Sequence, residues 1–119
     1  MTPIYYITTQ RELSDAQAVG HLMPPSLYEE GFVHCSFAHQ VVAVANKYFH
    51  GRRDLLLLEL DQTKLAAPVV EENLSGGADL YPHIYGILNL SAVHAICPFP
   101  SREDGAFEWP TELPKDEVS

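Results

Sequence analysis

Positive charge is scarce in this sequence. Lys and Arg together number 7, against 16 Asp and Glu, for a formal net charge of −9. Unaided binding of nucleic acid or an anionic membrane is therefore not expected, because phosphate contacts need clustered basic residues. The adjacent pair Arg52 and Arg53 reads as a surface turn. Cysteine is also sparse: Cys35 and Cys97 stand alone inside apolar runs, with no CxxC spacing. That excludes a disulfide framework and makes a reducing, cytoplasmic setting the default. No apolar run approaches a membrane span, and the first residues do not have the layout of a secretory signal. Repeats and low-complexity linkers are missing too. The one Gly-rich stretch, SGGAD at 75–79, is no phosphate loop. Six histidines invite a metal, but no HExxH, no HxxxH and no paired cysteine supplies ligand spacing.

What is present suits one small domain. Apolar residues make up 46% of 119, enough for one core. PIYYITT (3–9) is β-branched and aromatic and reads as a strand. Thr9 and Glu12 form a capping box for a helix ending at Gly20. Ser26 and Glu29 form a second box for a short helix closed by Gly31. GFVHCSF (31–37) reads as a strand, and an amphipathic helix over 38–50 places Val41, Val42, Ala45, Tyr48 and Phe49 on one face. Leu55 to Leu58 mark a central strand covered on both sides. Strands are also expected at 67–73 and near 92–97, and LSGGAD (74–79) as a flexible loop. Helices early and strands late indicate an α+β fold. Residues 1–100 form the domain, and 101–119 are expected as a polar, acidic, loosely attached tail.

Chemistry-bearing residues fall at strand spacing. Phe32, His34 and Ser36 share one face of their strand, opposite Val33, Cys35 and Phe37. His83 and Tyr85 share a face of LYPHIYG if that segment is extended, and Tyr6 and Thr8 share a face of the first strand. Glu71 and Glu72 alternate at the end of VVEE. Either these polar groups bond backbone carbonyls and hold loops, or they line a cleft. Ser36 lacks the tight Gly-x-Ser-x-Gly turn of a hydrolase nucleophile. Cys35 as a thiol nucleophile conflicts with its apolar face, and a metal-dependent hydrolase would draw on His34, His39 and His83.

The strings IYxIT, SLxxEGFxHCS, QVVxVANxxF, LLLLxxD and PHIYGxLNxxAV run from Pro3 to Pro98. They resemble the bacterial domain-of-unknown-function family 952. That family is similar in fold to the ADP-ribosyltransferase superfamily, and its His-x-Ser strand looks like that of RNA 2′-phosphotransferases, which use NAD. The resemblance implies two small, bent, mostly antiparallel sheets flanked by helices and facing each other across an NAD-sized cleft. His34 and Ser36 would lie in that cleft. Tyr6 would stand where many transferases carry histidine, with Thr8 beside it. Glu72 would fall near the third motif, and His83, Tyr85 and Asn89 belong to the PHIYGILN signature. On this reading His34, Glu72 and His83 are catalytic, and Tyr6, Thr8, Ser36, Tyr85 and Asn89 bind ligand. His34 would orient a ribose, Ser36 and Tyr85 would pin the nicotinamide side or a phosphate, Glu72 would stabilise an oxocarbenium-like ribose, and His83 would be an acid–base group. NAD is the expected substrate, with no tightly bound cofactor, in ADP-ribosyl or phosphate transfer to a small molecule or protein. The alternative is a non-catalytic domain that binds a small ligand and has lost the chemistry, which the tyrosine at position 6 favours.

Overall fold

The computed structural model describes residues 2–73 and 77–113. Part of the expected 74–79 loop and the last six residues of the expected tail lie outside that range. In chain order the elements are β1 (Ile4–Thr9), α1 (Gln10–Val19), β2 (His21–Leu22), α2 (Pro25–Glu29), β3 (Val33–His34), α3 (Ala38–Tyr48), β4 (Leu55–Leu60), β5 (Val69–Glu72), β6 (Tyr81–Ile84), β7 (Leu88–Asn89) and β8 (Val93–Pro98). One-turn 3-10 segments occupy Gln62–Lys64 and Leu90–Ala92. The fold is α+β.

All described ladders are antiparallel. β4 is the central strand of a β1-β4-β8 sheet, and β6 is the central strand of a β3-β6-β5 sheet. A third, two-residue ladder joins β2 to β7. It has no counterpart among the sequence expectations, because two residues carry no readable period. β3 is shorter than GFVHCSF suggested. Its chain leaves β6 after Cys35, whose N–H donates to the Pro82 carbonyl at 3.1 Å, and crosses to β1. There Ser36 and Tyr5 exchange two backbone hydrogen bonds, at 2.8 and 3.0 Å.

The four leucines explain how the layers stack. Leu55 and Leu57 pack with Tyr5, Val41, Ala45 and Phe99 on one side of the β1-β4-β8 sheet. Leu58 and Leu60 pack on the other side with Ile4, Tyr6, Leu13, Val33, Cys35 and Ile84. The second cluster draws on both three-stranded sheets, so apolar core fills the space between them. The expected inter-sheet cleft is corrected accordingly: the polar residues of β3, β5 and β6 lie on the outer face.

Local signals held unevenly. Thr9 caps α1 by accepting from the Glu12 N–H at 3.1 Å, and Gly20 ends it in the left-handed conformation. The Glu12 carboxylate does not complete the capping box, because Tyr6 and Thr8 donate to it instead. α2 starts from Pro24 with Pro25 at its first position, so Ser26 lies inside the helix rather than at its cap. In α3 the buried side chains are Ala38, Gln40, Val41 and Ala45, while Tyr48 is 66% exposed.

The loosely attached tail is the largest departure. Phe107 and Leu113 are buried in the α3-side cluster, and Trp109 packs against it. The Trp109 ring meets the Tyr5 ring edge-on at 5.3 Å. Arg53 Nη1 donates to the Ser101 carbonyl at 2.6 Å, and Asn46 Oδ1 accepts from the Phe107 N–H at 2.7 Å. Residues 101–113 thus complete the core. Proline and acid content suggested otherwise because so few apolar anchors are spaced so widely.

A histidine–carboxylate face on the outer sheet

Register builds this site. His83, on the central strand, is paired with His34 of β3 and with Val70 of β5. Two residues on from Val70 and His83, on the same face but toward opposite ends of the antiparallel ladder, stand Glu72 and Tyr85, the latter just past the end of β6. The opposite face, carrying Val33, Ile84 and Val69, points into the core. The choice between Glu71 and Glu72 is settled by their side-chain bonds: Glu72 is the carboxylate that meets this group.

Glu72 Oε2 gathers the cluster. His83 Nδ1 lies 2.9 Å from it, and the Tyr85 hydroxyl donates to the same oxygen. No described residue donates to Oε1. The two donors, Tyr85 first, hold the Glu72 carboxyl below its ordinary range, and the same bond raises the Tyr85 phenol above its own. Phe32 stacks on the His83 ring at 4.1 Å and 18°. It also touches the rings of His34 at 4.8 Å and Tyr85 at 5.3 Å. His34 stands edge-on to His83 at 5.3 Å and pairs through Nε2 with Glu30 at 2.9 Å. Burial is graded: the His83 side chain is 7% exposed, Glu72 21% and His34 55%.

The structure therefore brings together His34, Glu72, His83 and Tyr85 of the expected residues. It adds Phe32 and Glu30, which the sequence offered only as neighbours of His34. Alternation along the strand placed Phe32 on this face, but an apolar residue gives no sign of chemistry by itself.

The other expected residues lie elsewhere. Tyr6 and Thr8 donate to Glu12 Oε1, at 3.0 and 2.5 Å. Burial, then the Glu12 charge, pushes the Tyr6 phenol far above its ordinary range. Glu12 forms part of the wall of a separate depression of about 290 Å³, with Asp15, Val19, His21 and Met23. Ser36 is buried at the bridge to Tyr5. Asn89 lies in the β2–β7 ladder. Its amide accepts from the Ala66 N–H and donates to the Lys64 carbonyl and the Ser91 hydroxyl. These bonds employ both ends of the Asn89 amide, a loop-holding role that the ligand-binding expectation did not foresee. Burial drives the Cys35 thiol well above its ordinary value, which suits an inert core residue. Among the described residues, no three His, Cys, Asp or Glu side chains converge as a metal site. Among them also, no helix is long and apolar enough to cross a membrane.

The PHIYG signature has a packing reason as well as a polar one. A Cβ on Gly86 would lie 2.6 Å from Ala67 Cβ, so glycine lets the β6–β7 turn close onto the entry to β5. The Tyr85 N–H donates to the Pro68 carbonyl beside it at 2.9 Å.

A small antiparallel α+β domain with a carboxylate–histidine–tyrosine face is thus the class of protein that fold and site define. The family described as "Protein of unknown function (DUF952)" matches residues 7–96, and the chain belongs to it. It is similar to the crystal structure of protein CC0527 from Caulobacter crescentus, at 30% identity and a TM-score of 0.80. That match covers 90% of this chain and 94% of the other. The solution structure of CC0527 is similar at 31% identity and a TM-score of 0.81, covering 95% and 97%. No curated protein matches.

Proposed function

We propose that the outer face of the β3-β6-β5 sheet binds a nucleotide of the NAD class, in an ADP-ribosyl- or phosphate-transfer reaction on a small molecule or protein. The observation that carries this reading is an ionised carboxylate, Glu72, held among ring faces on a rigid sheet. A carboxylate accepts hydrogen bonds from ribose hydroxyls and stabilises positive charge at the anomeric carbon. Aromatic faces beside it favour a cationic ring such as the pyridinium of oxidised nicotinamide. No Lys or Arg is among the residues forming the cluster, so its chemistry suits the nicotinamide-ribose end better than the diphosphate. His34, 55% exposed, is available to a ribose hydroxyl.

The test is thermal. NAD and nicotinamide mononucleotide should each raise the melting temperature by several degrees at millimolar concentration, with a smaller effect from ADP-ribose. Glu72→Gln should lose that protection. A melting temperature indifferent to all three ligands sinks the nucleotide reading. Release of nicotinamide from NAD then separates transfer from mere binding.

A second reading, binding without chemistry, draws on the first strand. Tyr6 is 8% exposed and its hydroxyl is engaged by Glu12, away from this face. Protection by NAD with no nicotinamide released, across alcohol, amine and protein acceptors, would establish it.

A further inference from the structure

We infer that His83 is a general base acting through Nε2, oriented by Glu72, and that the group it deprotonates is a neutral hydroxyl: water or an alcohol. The inference deepens the nucleotide reading and rests on it for the identity of the electrophile.

Glu72 decides the tautomer. An ionised carboxylate only accepts hydrogen bonds. Tyr85 donates to Oε2, and His83 Nδ1 lies 2.9 Å from that oxygen. Nδ1 must therefore carry the proton, which leaves the lone pair on Nε2. The ring cannot easily turn. Phe32 stacks on it at 4.1 Å and 18°, and His34 meets it edge-on. Its strand is paired on both sides.

Nε2 is also reachable. It has no partner among the described residues, and the only sealed side-chain nitrogen or oxygen without a partner among them is Ser101 Oγ. Nε2 is therefore not sealed, and the 7% of the side chain that is exposed leaves it a narrow approach. A base ordered by a carboxylate and open at its other nitrogen is the arrangement that activates a hydroxyl. A guanidinium is too weak an acid to yield its proton to imidazole, and a carboxylate acceptor has none to give.

With an NAD-type electrophile the step balances as follows. The hydroxyl oxygen forms a bond to the anomeric carbon of the nicotinamide ribose. The bond from that carbon to the ring nitrogen breaks, and its electron pair neutralises the pyridinium as nicotinamide leaves. The hydroxyl proton moves to Nε2, and the resulting imidazolium is paired with Glu72. The ionisable groups around His83 are Glu72 from β5, Tyr85 from its own strand's end, and His34 from β3 with Glu30 behind it. Glu72 and Phe32 are positioning residues with respect to this proton transfer.

The tautomer is measurable on the ligand-free full-length protein, by two-bond proton–nitrogen correlation of the histidine rings at pH 8. His83 should show a protonated Nδ1 and a bare Nε2. In Glu72→Gln the population should move toward the Nε2–H form. An Nε2–H tautomer in the wild-type protein overturns the inference, and so does an Nδ1–H tautomer unchanged by Glu72→Gln. Once nicotinamide release is observed, His83→Gln should lower kcat about 100- to 10,000-fold with KM changed less than about 3-fold, a range typical of general-base loss. Equal kcat in a folded His83→Gln variant overturns the base assignment. Absence of NAD binding overturns the nucleotide reading alone, because the spectra judge the Glu72–His83 arrangement without any ligand.

Discussion

Two donors on Glu72 Oε2 link this face to acid stability. The folded-state pKa of Glu72 is depressed by Tyr85 and His83, so its stabilisation is present above the ordinary glutamate value, about 4.3, and is lost as pH falls through the lower folded value. Tyr85 has the opposite sign. Its pKa is raised, so that contribution is full below about 10 and fades as pH climbs through the folded value. Glu72→Gln should flatten the acid limb of a stability–pH curve measured by urea denaturation below about pH 4.3. An acid limb identical to that of the wild-type protein would contradict the pairing. At Glu12 the network is more buried. Tyr6→Phe removes one of the two hydroxyl donors on Oε1 and should cost about 1–2 kcal/mol in the same measurement. These polar contacts were legible as residues but not as partners. Tyr6 and Thr8 read as one face of a strand, and so they are, yet their acceptor came from a helix whose packing no local pattern reveals.

Among the elements, β4 shows where pattern reading works. Four leucines bounded by acids admit one good solution, a central strand with core on both sides, and both clusters use it. Leu57 is fully buried, and Leu57→Ala should cost about 2–5 kcal/mol, with no direct effect on the Glu72 face. The short ladders behave differently. β2, β3 and β7 have two residues each, too few to carry a period, and they form only because longer neighbours hold them in place. Gly86→Ala tests one such closure. The new methyl would meet Ala67 Cβ at 2.6 Å, and the strain should destabilise by about 1–3 kcal/mol. Because β5 carries Glu72 and Tyr85 precedes Gly86, the variant should also disturb His83 ring shifts. Unchanged stability would show that the turn has room the described geometry denies it.

The molecule as a whole depends on residues 101–113. Phe107 and Leu113 are buried beside α3, and Trp109, the single tryptophan, packs on Tyr5. Phe107→Ala should cost about 3–5 kcal/mol. A chain ending at Pro100 should melt well below the full-length protein, with the loss visible before any change in ligand binding. In the full-length protein, Trp109 fluorescence should change in the same cooperative transition as the far-ultraviolet circular dichroism signal. An earlier, separate fluorescence change would show that the C-terminal segment is an independent unit. The spacing of the two larger sheets follows from the same logic. Polar residues on β3 and β6 suggested a cleft between facing sheets, but Val33, Cys35 and Ile84 on the opposite side of those strands fill that space with core.

Alternation along each strand, the leucine run and the helix ends are local matters, set by side-chain period, backbone freedom and capping. The amino-acid order alone was enough to establish the alternation, the leucine run and the two ends of α1, including the shared face of Phe32 and His34, whereas the cap expected for α2 lies inside that helix. Partnership between distant residues is a different kind of fact. It depends on register, and on which buried surfaces meet once the chain closes. Only the folded molecule sets Glu72 against His83, assigns Tyr6 to Glu12 and seats the C-terminal segment on Tyr5. The physical reason is that hydrophobic burial is non-directional: it selects the apolar face of a strand but not the neighbour that face will find.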